Sequence, residues 1–266
     1  MLRFCRLPYF CYFCESMSEF DEYIRQGEPG AKVKAQAWQT AIGLQDVDGL
    51  KPSAYLLDTA KRHIEGDITI EQVKGLIDTY YKSKEGRLLS EKERTEEADK
   101  VSARITELLE EDTFACSPLE FQRIHRRLFE GIFKFAGKYR TYNISKQEWV
   151  LDGASVLYNP FENLSETLEY DFAQEHKFNY SAVSIDESIA HIAAFTAGLW
   201  QIHPLARETP VLRQFSLLSI CVLLVSLSQM TCLLPTHGIS AMLWLERTIQ
   251  IGRKVFLRIL HTLYNS

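Results

Sequence analysis

Helix-start signals recur along this chain. Thr69–Gln72, Ser90–Glu93 and Ser184–Glu187 each have a capping hydroxyl followed three residues later by an amide or carboxylate. Ser117–Glu120 adds proline at the first helical position, and Asn163–Glu166 is a fifth start. Because such signals open helices and leave few stretches between them for strands, the chain is predicted to be all-α.

Apolar residues follow these starts at positions that share one helix face. This spacing is typical of helices that bury a single stripe and expose the rest to water. The predicted stripes are Val73, Leu76, Ile77 and Tyr80; Ala98, Val101, Ile105, Leu108 and Leu109; Phe121, Ile124, Leu128 and Ile132; and Ile185, Ile189, Ile192, Thr196 and Leu199. His125 lies on the third of these helices, where a lone histidine is more often a surface or packing residue than a ligand.

One segment departs from the helical pattern. The apolar runs Trp149–Leu151 and Val156–Tyr158 flank Asp152-Gly153, a dipeptide that is a strong hairpin-turn signal. We therefore predict one small β-hairpin from Trp149 to Tyr158. On local pattern alone, it could be an ordinary hairpin packed against the core.

Composition excludes several classes of protein. A net charge of −5 over 266 residues gives no electrostatic reason to expect nucleic acid as a partner. Six cysteines are scattered, and the lone pair Cys11 and Cys14 is a weak metal or redox signal, so no metal site is predicted. This scatter, together with the length, indicates a reduced, cytoplasmic protein.

The two ends of the chain read differently from its middle. Residues 1–16 are rich in aromatic residues and cysteine and lack the pattern of a signal peptide, so Met17 is the expected start and residues 1–17 a spurious extension. Phe215–Pro235 has no charged residue and is long enough to span a membrane. A membrane-anchored protein is one reading of that run, but we expect no membrane partner.

His203-Pro204 follows directly on the last predicted helix, so the histidine stands at the end of a rigid element. Together, Phe135–Ile144, Glu148–Gly153 and Leu199–Pro204 resemble the Fic (Fido) family, whose motif reads roughly H-P-F-x-[DE]-G-N-[GT]-R. The resemblance spans residues 90 to 203. It implies a mainly helical fold with a hairpin flap, and transfer of AMP from ATP, with Mg²⁺, to a Ser, Thr or Tyr hydroxyl of a target protein.

The resemblance also implies roles for individual residues. His203 matches the general base, for which a near-neutral pKa is suited. Residues Trp149, Val150, Leu151, Asp152 and Gly153 match the flap that pins the target segment by strand pairing. The rest of the motif is lost: Leu205 replaces the phenylalanine, Arg207 the Mg²⁺-binding acid, Glu208 and Thr209 the Gly-Asn pair, and Val211 the arginine. We therefore expect an inactive transferase, assign no nucleotide-binding residues, and allow that the chain uses no cofactor.

The N-terminal helices resemble the antitoxin-like segment fused to some Fic proteins of toxin–antitoxin type. The expected division is residues 18–88 for that segment, 89–204 for the Fic core, and 205–266 for a divergent tail. In the family, a Ser/Thr-x-x-x-Glu-Gly helix obstructs ATP. Two places approach that pattern, and neither is complete. One is Asp48-Gly49, with Leu44 in place of the Ser or Thr, and the other is Glu65-Gly66, with Lys61 in that place.

The tail has an explanation at the level of the gene. Glu208–Phe215 can be encoded so that reading two nucleotides later gives N-T-R-T-T-A-V, and Ala241–Gln250 similarly gives N-A-L-V-R-A-N-Y-T. We hypothesise that residues from about Leu205 to Ser266 are out-of-frame translation. The alternative function is a non-catalytic helical module that uses the hairpin to hold a protein partner.

Overall fold

The computed structural model describes residues 19–46, 49–83, 94–111, 115–147 and 155–205. These residues are mainly helical, with one two-stranded antiparallel sheet, so the all-α prediction with a small hairpin is confirmed. The helices are α1 (Asp21–Gln26), α2 (Pro29–Asp46), α3 (Ala54–Glu65), α4 (Ile70–Lys82), α5 (Thr95–Leu109), α6 (Pro118–Phe129), α7 (Leu164–Glu175) and α8 (Ile185–Ile202). Short 3₁₀ turns cover Phe161–Asn163 and Tyr180–Ala182.

The capping residues that the sequence indicates begin the helices as expected. Thr69 and Ser184 form complete capping boxes with Gln72 and Glu187, and the Ser117 hydroxyl accepts a hydrogen bond from the Glu120 N–H. Helix α7 begins at Leu164, directly after Asn163, but the Asn163 side chain makes no capping hydrogen bond. The predicted start at Ser90–Glu93 lies outside the described residues, and α5 begins beyond it at Thr95.

Two clusters of buried apolar side chains hold the described residues together. The first cluster joins α2, α3 and α4 and includes Phe20, Trp38, Leu56, Ile64, Val73 and Ile77. The second cluster joins α5 to α8 and includes Ile105, Leu108, Phe121, Ile124, Leu128, Phe172, Leu199 and Ile202. Helices α2 and α5 contribute to both clusters, through Trp38 and Ala103 on one side and Leu44 and Ile105 on the other. The two regions are therefore packed through shared helices.

The predicted helix stripes account for much of both clusters. Val73 and Ile77 are buried on α4, as are Ala98, Val101, Ile105 and Leu108 on α5 and Phe121, Ile124 and Leu128 on α6. Leu76, Tyr80, Leu109 and Ile132 are partly buried against the same clusters. On α8, Ile192 and Leu199 are buried as predicted.

The hairpin consists of β1 (Ser145–Gln147) and β2 (Ser155–Leu157), with Ser145 opposite Leu157 and Gln147 opposite Ser155. The second strand matches the predicted run at Val156. The first strand lies upstream of the predicted run at Trp149, and since its residues Ser145, Lys146 and Gln147 are all polar, an apolar pattern could not locate it. Residues 149–153, the predicted flap tip, lie outside the described residues.

Within the described ranges, none of the helices is both long enough and apolar enough to cross a membrane. The apolar run 215–235 lies outside those ranges.

Candidate functional site

His203 is the residue at which helix α8 ends. Its backbone is left-handed, with φ 46° and ψ 60°, and its N–H donates to the carbonyl oxygen of Leu199 at 3.1 Å. The imidazole is half-buried and lies against the ring of Tyr158, with 5.2 Å between ring centroids. A left-handed conformation costs a non-glycine residue roughly 1 kcal/mol, so the surrounding contacts must hold it.

Arg140 supplies those contacts. Its side chain is buried, and its Nε and Nη2 donate to the carbonyl oxygens of His203 and Ile202 at 2.8 and 3.1 Å. Its backbone N–H donates to the carbonyl oxygen of Pro204 at 2.9 Å. The last carbonyls of a helix have no partner within the helix, and here one arginine binds three consecutive ones.

The same guanidinium reaches both ends of the hairpin. Nη1 donates to the carbonyl oxygen of Tyr142 at 2.8 Å, before β1, and Nη2 donates to that of Asn159, after β2. The N–H of Asn159 in turn donates to the carbonyl oxygen of Gln201 on α8, at 3.3 Å. The base of the hairpin is therefore fixed against the last turn of the helix that carries His203.

The loop that leads into Arg140 is shaped by a glycine and a buried histidine. Gly137 has φ 70°, and its N–H donates to Nδ1 of His125 at 2.8 Å. His125 is fully buried and lies between the rings of Phe129 and Phe135. It is therefore a packing residue, as the sequence predicted, and it also fixes the loop through Gly137.

The residue after His203-Pro204 faces the core. Leu205 forms an isolated antiparallel bridge with Tyr139, is 8% exposed, and joins the second cluster. The motif positions at 207, 208, 209 and 211 lie outside the described residues.

The donor set at this site does not suit Mg²⁺ and ATP phosphates. Mg²⁺ requires hard oxygen ligands, and the motif acid that would provide one is Arg207. A phosphate group requires N–H donors or cations, and the sequence offers Glu208 and Val211 instead of glycine and arginine. Among the described residues, no group of three or more His, Cys, Asp or Glu side chains is arranged to hold a metal ion. Along the motif, the sequence therefore keeps the histidine and replaces the acid, the Gly-Asn pair and the arginine.

The two incomplete inhibitory patterns occupy different surroundings. Leu44 is buried in the second cluster, while Asp48 lies outside the described residues. Lys61 forms an ion pair with Glu19 at 2.6 Å, and Glu65 accepts a hydrogen bond from the hydroxyl of Tyr23, which raises the pKa of Tyr23 to about 12. Glu65 is thus bound to α1, within the N-terminal region.

Arg140 is the residue at this site that sequence reasoning did not assign. The sequence showed it only as part of the Gly137–Arg140 run, which contributed to the family resemblance. Its partners at Asn159, Ile202 and His203 lie 19 to 63 positions away along the chain. No local pattern reports contacts at that separation.

Comparison with known proteins covers the same part of the chain. Residues 115–207 match the family model of the Fic/DOC family. No curated protein and no solved structure matches the chain. The matched segment contains Arg140, the hairpin and His203, so this part of the chain is similar to the Fic/DOC family.

Proposed function

We propose that this chain derives from a Fic enzyme that transfers AMP to a protein hydroxyl, and that it keeps the base but has lost the transfer. The observation that carries this proposal is the contrast within one loop. His203 is held in a defined conformation by Arg140, whereas the motif acid, the Gly-Asn pair and the motif arginine are all replaced after it.

The chemistry explains why a base alone is insufficient. In AMP transfer, His203 would accept the proton of the target hydroxyl while that oxygen bonds to the α-phosphorus of ATP and pyrophosphate leaves. Negative charge then grows on the phosphate oxygens and the leaving group, and cations or N–H donors must stabilise it. Glu208 would add like charge, and Val211 offers no donor. The expected transfer rate is therefore at background.

The loss of one nucleotide, which shifts the reading frame, accounts for the whole missing motif. Leu205–Val211 can be encoded TTA GCG AGG GAA ACA CCC GTA. One pyrimidine added after the first two letters makes the first codon phenylalanine, and the remainder then reads AGC GAG GGA AAC ACC CGT. The product is H-P-F-S-E-G-N-T-R, which fits the family motif at every position. Codon choice is free, but a chance sequence would rarely allow one inserted base to restore the six constrained motif positions that follow His203-Pro204.

The end of the family match supports this explanation. The match stops at residue 207, two residues after Leu205. A sequence that leaves its frame near codon 205 is expected to lose similarity there. The coding DNA provides a direct check, because only a gene whose codons 205 to 211 contain the alternative frame is compatible with the proposal.

A second candidate function is a module that holds an extended segment of a partner protein at the hairpin. The observation that favours it is the anchoring of the hairpin base by Arg140 and Asn159, neither of which belongs to the residues after Leu205. Capture of a target protein without ATP, lost when the hairpin is deleted, would support this candidate.

The decisive experiment compares two versions of the full chain. One is the chain as it stands, and the other is the same gene with the single pyrimidine restored. Both are incubated with α-³²P-labelled ATP, Mg²⁺ and candidate target proteins. We expect label on protein only with the restored version, and its loss in restored His203→Ala. Transfer by the chain as it stands, dependent on His203, would refute the proposed loss.

A further inference from the structure

We propose that Arg140 is the positioning residue of His203, and that it sets the hairpin and the imidazole in a fixed relation to each other. The importance of this relation for catalysis rests on the proposed function, but the positioning itself does not. His203 has an unusual backbone conformation, because it and Arg94 are the two non-glycine residues of positive φ in the described ranges.

Hydrogen bonds to three neighbouring carbonyls define the helix end. A carbonyl oxygen that accepts a hydrogen bond restrains rotation about the Cα–C bond of its residue. Arg140 therefore restrains the backbone of Ile202, His203 and Pro204. Without these bonds, α8 could fray at its last turn, and the imidazole would leave its contact with Tyr158. Arg140 therefore stabilises the one backbone conformation in which the ring packs there.

Among the described residues, the charge of Arg140 is matched by backbone dipoles, with Glu162 as a further favourable charge. Its four side-chain acceptors are the carbonyl oxygens of Tyr142, Asn159, Ile202 and His203. Two of them belong to the C-terminal end of α8, where the helix dipole carries partial negative charge. Burial lowers the pKa of the guanidinium, yet the group stays charged because its reference pKa is so high.

Lysine cannot replace this geometry. The guanidinium uses Nε, Nη1 and Nη2 in fixed directions to reach carbonyls from two ends of the hairpin and one helix end. An ammonium group is a single point with three donors and cannot span the same acceptors. Arg140→Lys retains the charge and most of the side-chain volume, so it separates the effect of geometry from that of charge.

The test uses the full chain and does not require AMP transfer. Diethyl pyrocarbonate modifies unprotonated imidazoles, and peptide mass spectrometry gives the rate for each histidine. The measured quantity is the rate at His203 relative to exposed His176, with buried His63 reporting global unfolding. We expect this ratio to rise about tenfold in Arg140→Gln, since several charge-assisted bonds are lost, and by less in Arg140→Lys. The control Arg123→Gln removes an exposed arginine and should leave the ratio unchanged.

Two results would overturn the proposal. One is an unchanged ratio in a folded Arg140→Gln chain, and the other is an equal rise at His63 and His203, which would give Arg140 a role in global stability only. In the frame-restored chain, Arg140→Lys should lower kcat and leave KM for ATP within about twofold, because the side chain contacts carbonyls and not the nucleotide. If the restored chain transfers no AMP, the proposed function fails while the modification ratio still decides the role of Arg140.

Discussion

The packing of α3 and α4 against α5 and the segment that matches the Fic/DOC family model both include buried polar groups, but these groups stabilise different features. Asp99 is fully buried on α5 and accepts hydrogen bonds from the N–H and hydroxyl of Ser53 and from the hydroxyl of Tyr81. These bonds connect the start of α3 and the end of α4 to α5. In the matched segment, Arg140 binds carbonyls where elements end and holds a single loop residue.

The difference shows what each buried group stabilises. Asp99 joins three regular helices, so its loss should be felt mainly as lost stability. Arg140 stabilises a backbone conformation at His203 that the local sequence does not favour, so its loss should be felt at the site. Stability and reactivity are therefore separable readouts for the two regions.

The largest expected effect is on the packing of α3 and α4 against α5. Asp99→Ala leaves the N–H and hydroxyl of Ser53 and the hydroxyl of Tyr81 buried without their acceptor. We expect the free energy of unfolding to fall by about 4 kcal/mol, measured by urea denaturation. Asp58 is exposed on α3, so Asp58→Ala is the matched control and should change the free energy of unfolding by under ~0.5 kcal/mol. Equal effects of the two substitutions would mean that buried Asp99 contributes no more to stability than exposed Asp58.

The second effect depends on pH. His63 is buried, accepts a hydrogen bond from Nε1–H of Trp38 at 3.1 Å, and has a pKa lowered to about 4, chiefly by burial and further by Lys34. Between that value and the ordinary 6.5, the unfolded chain binds a proton that the folded chain does not, so stability falls as pH decreases through this window. The full loss by pH 4 is about 3 kcal/mol.

Measuring a difference isolates this residue. Burial raises the pKa of Glu110, which faces His63 at 3.8 Å, and a raised carboxyl pKa acts with the opposite sign. Urea unfolding of the chain and of His63→Gln at pH 7, 5.5 and 4 should give a stability difference that shrinks toward acid. A difference independent of pH would mean that His63 is not the titrating group.

Sequence reasoning was most successful where the signal is local. Thr69, Ser117 and Ser184 cap helices because their partners lie three residues away, and the apolar stripes fall on buried faces because helix period decides both. It was less successful at β1, where the polar residues Ser145–Gln147 pair with β2 without any alternation to mark them.

The sequence predicts the central residue of the candidate site, His203, but not the contacts that hold it. His203 follows from the family resemblance and from its place at a helix end. Arg140, the Asn159 contact and the bond between Gly137 and His125 depend on which distant backbone groups meet, and that is decided only by tertiary packing. The functional consequences of residues 207–211 came from the sequence alone.

The third effect is steric and concerns Gly137, in the segment that matches the Fic/DOC family model. A Cβ on Gly137 would lie 2.6 Å from Cβ of Arg126, and its φ of +70° is unfavourable for a side chain. We expect Gly137→Ala to cost about 2 kcal/mol and to raise His203 modification, because the loop carries Arg140. Gly131→Ala has a similar φ of +76° but open space, so it should cost only about 1 kcal/mol. Similar losses of stability in the two variants would show that backbone strain alone sets the loss. Arg126 would then move enough to relieve its contact with the new Cβ.

The smallest effect tests whether the incomplete inhibitory pattern at Lys61 contributes to the fold. Lys61 and Glu19 are both exposed, with side chains 39% and 52% accessible, so water screens their attraction. Lys61→Ser completes the Ser-x-x-x-Glu-Gly pattern and should change the free energy of unfolding by ~0.5 kcal/mol or less. Lys51→Ser removes another exposed charge and should behave alike. A larger loss in Lys61→Ser alone would mean that the bond between Glu65 and Tyr23 depends on Lys61, and that this part of α3 is held by charge as well as by its apolar face.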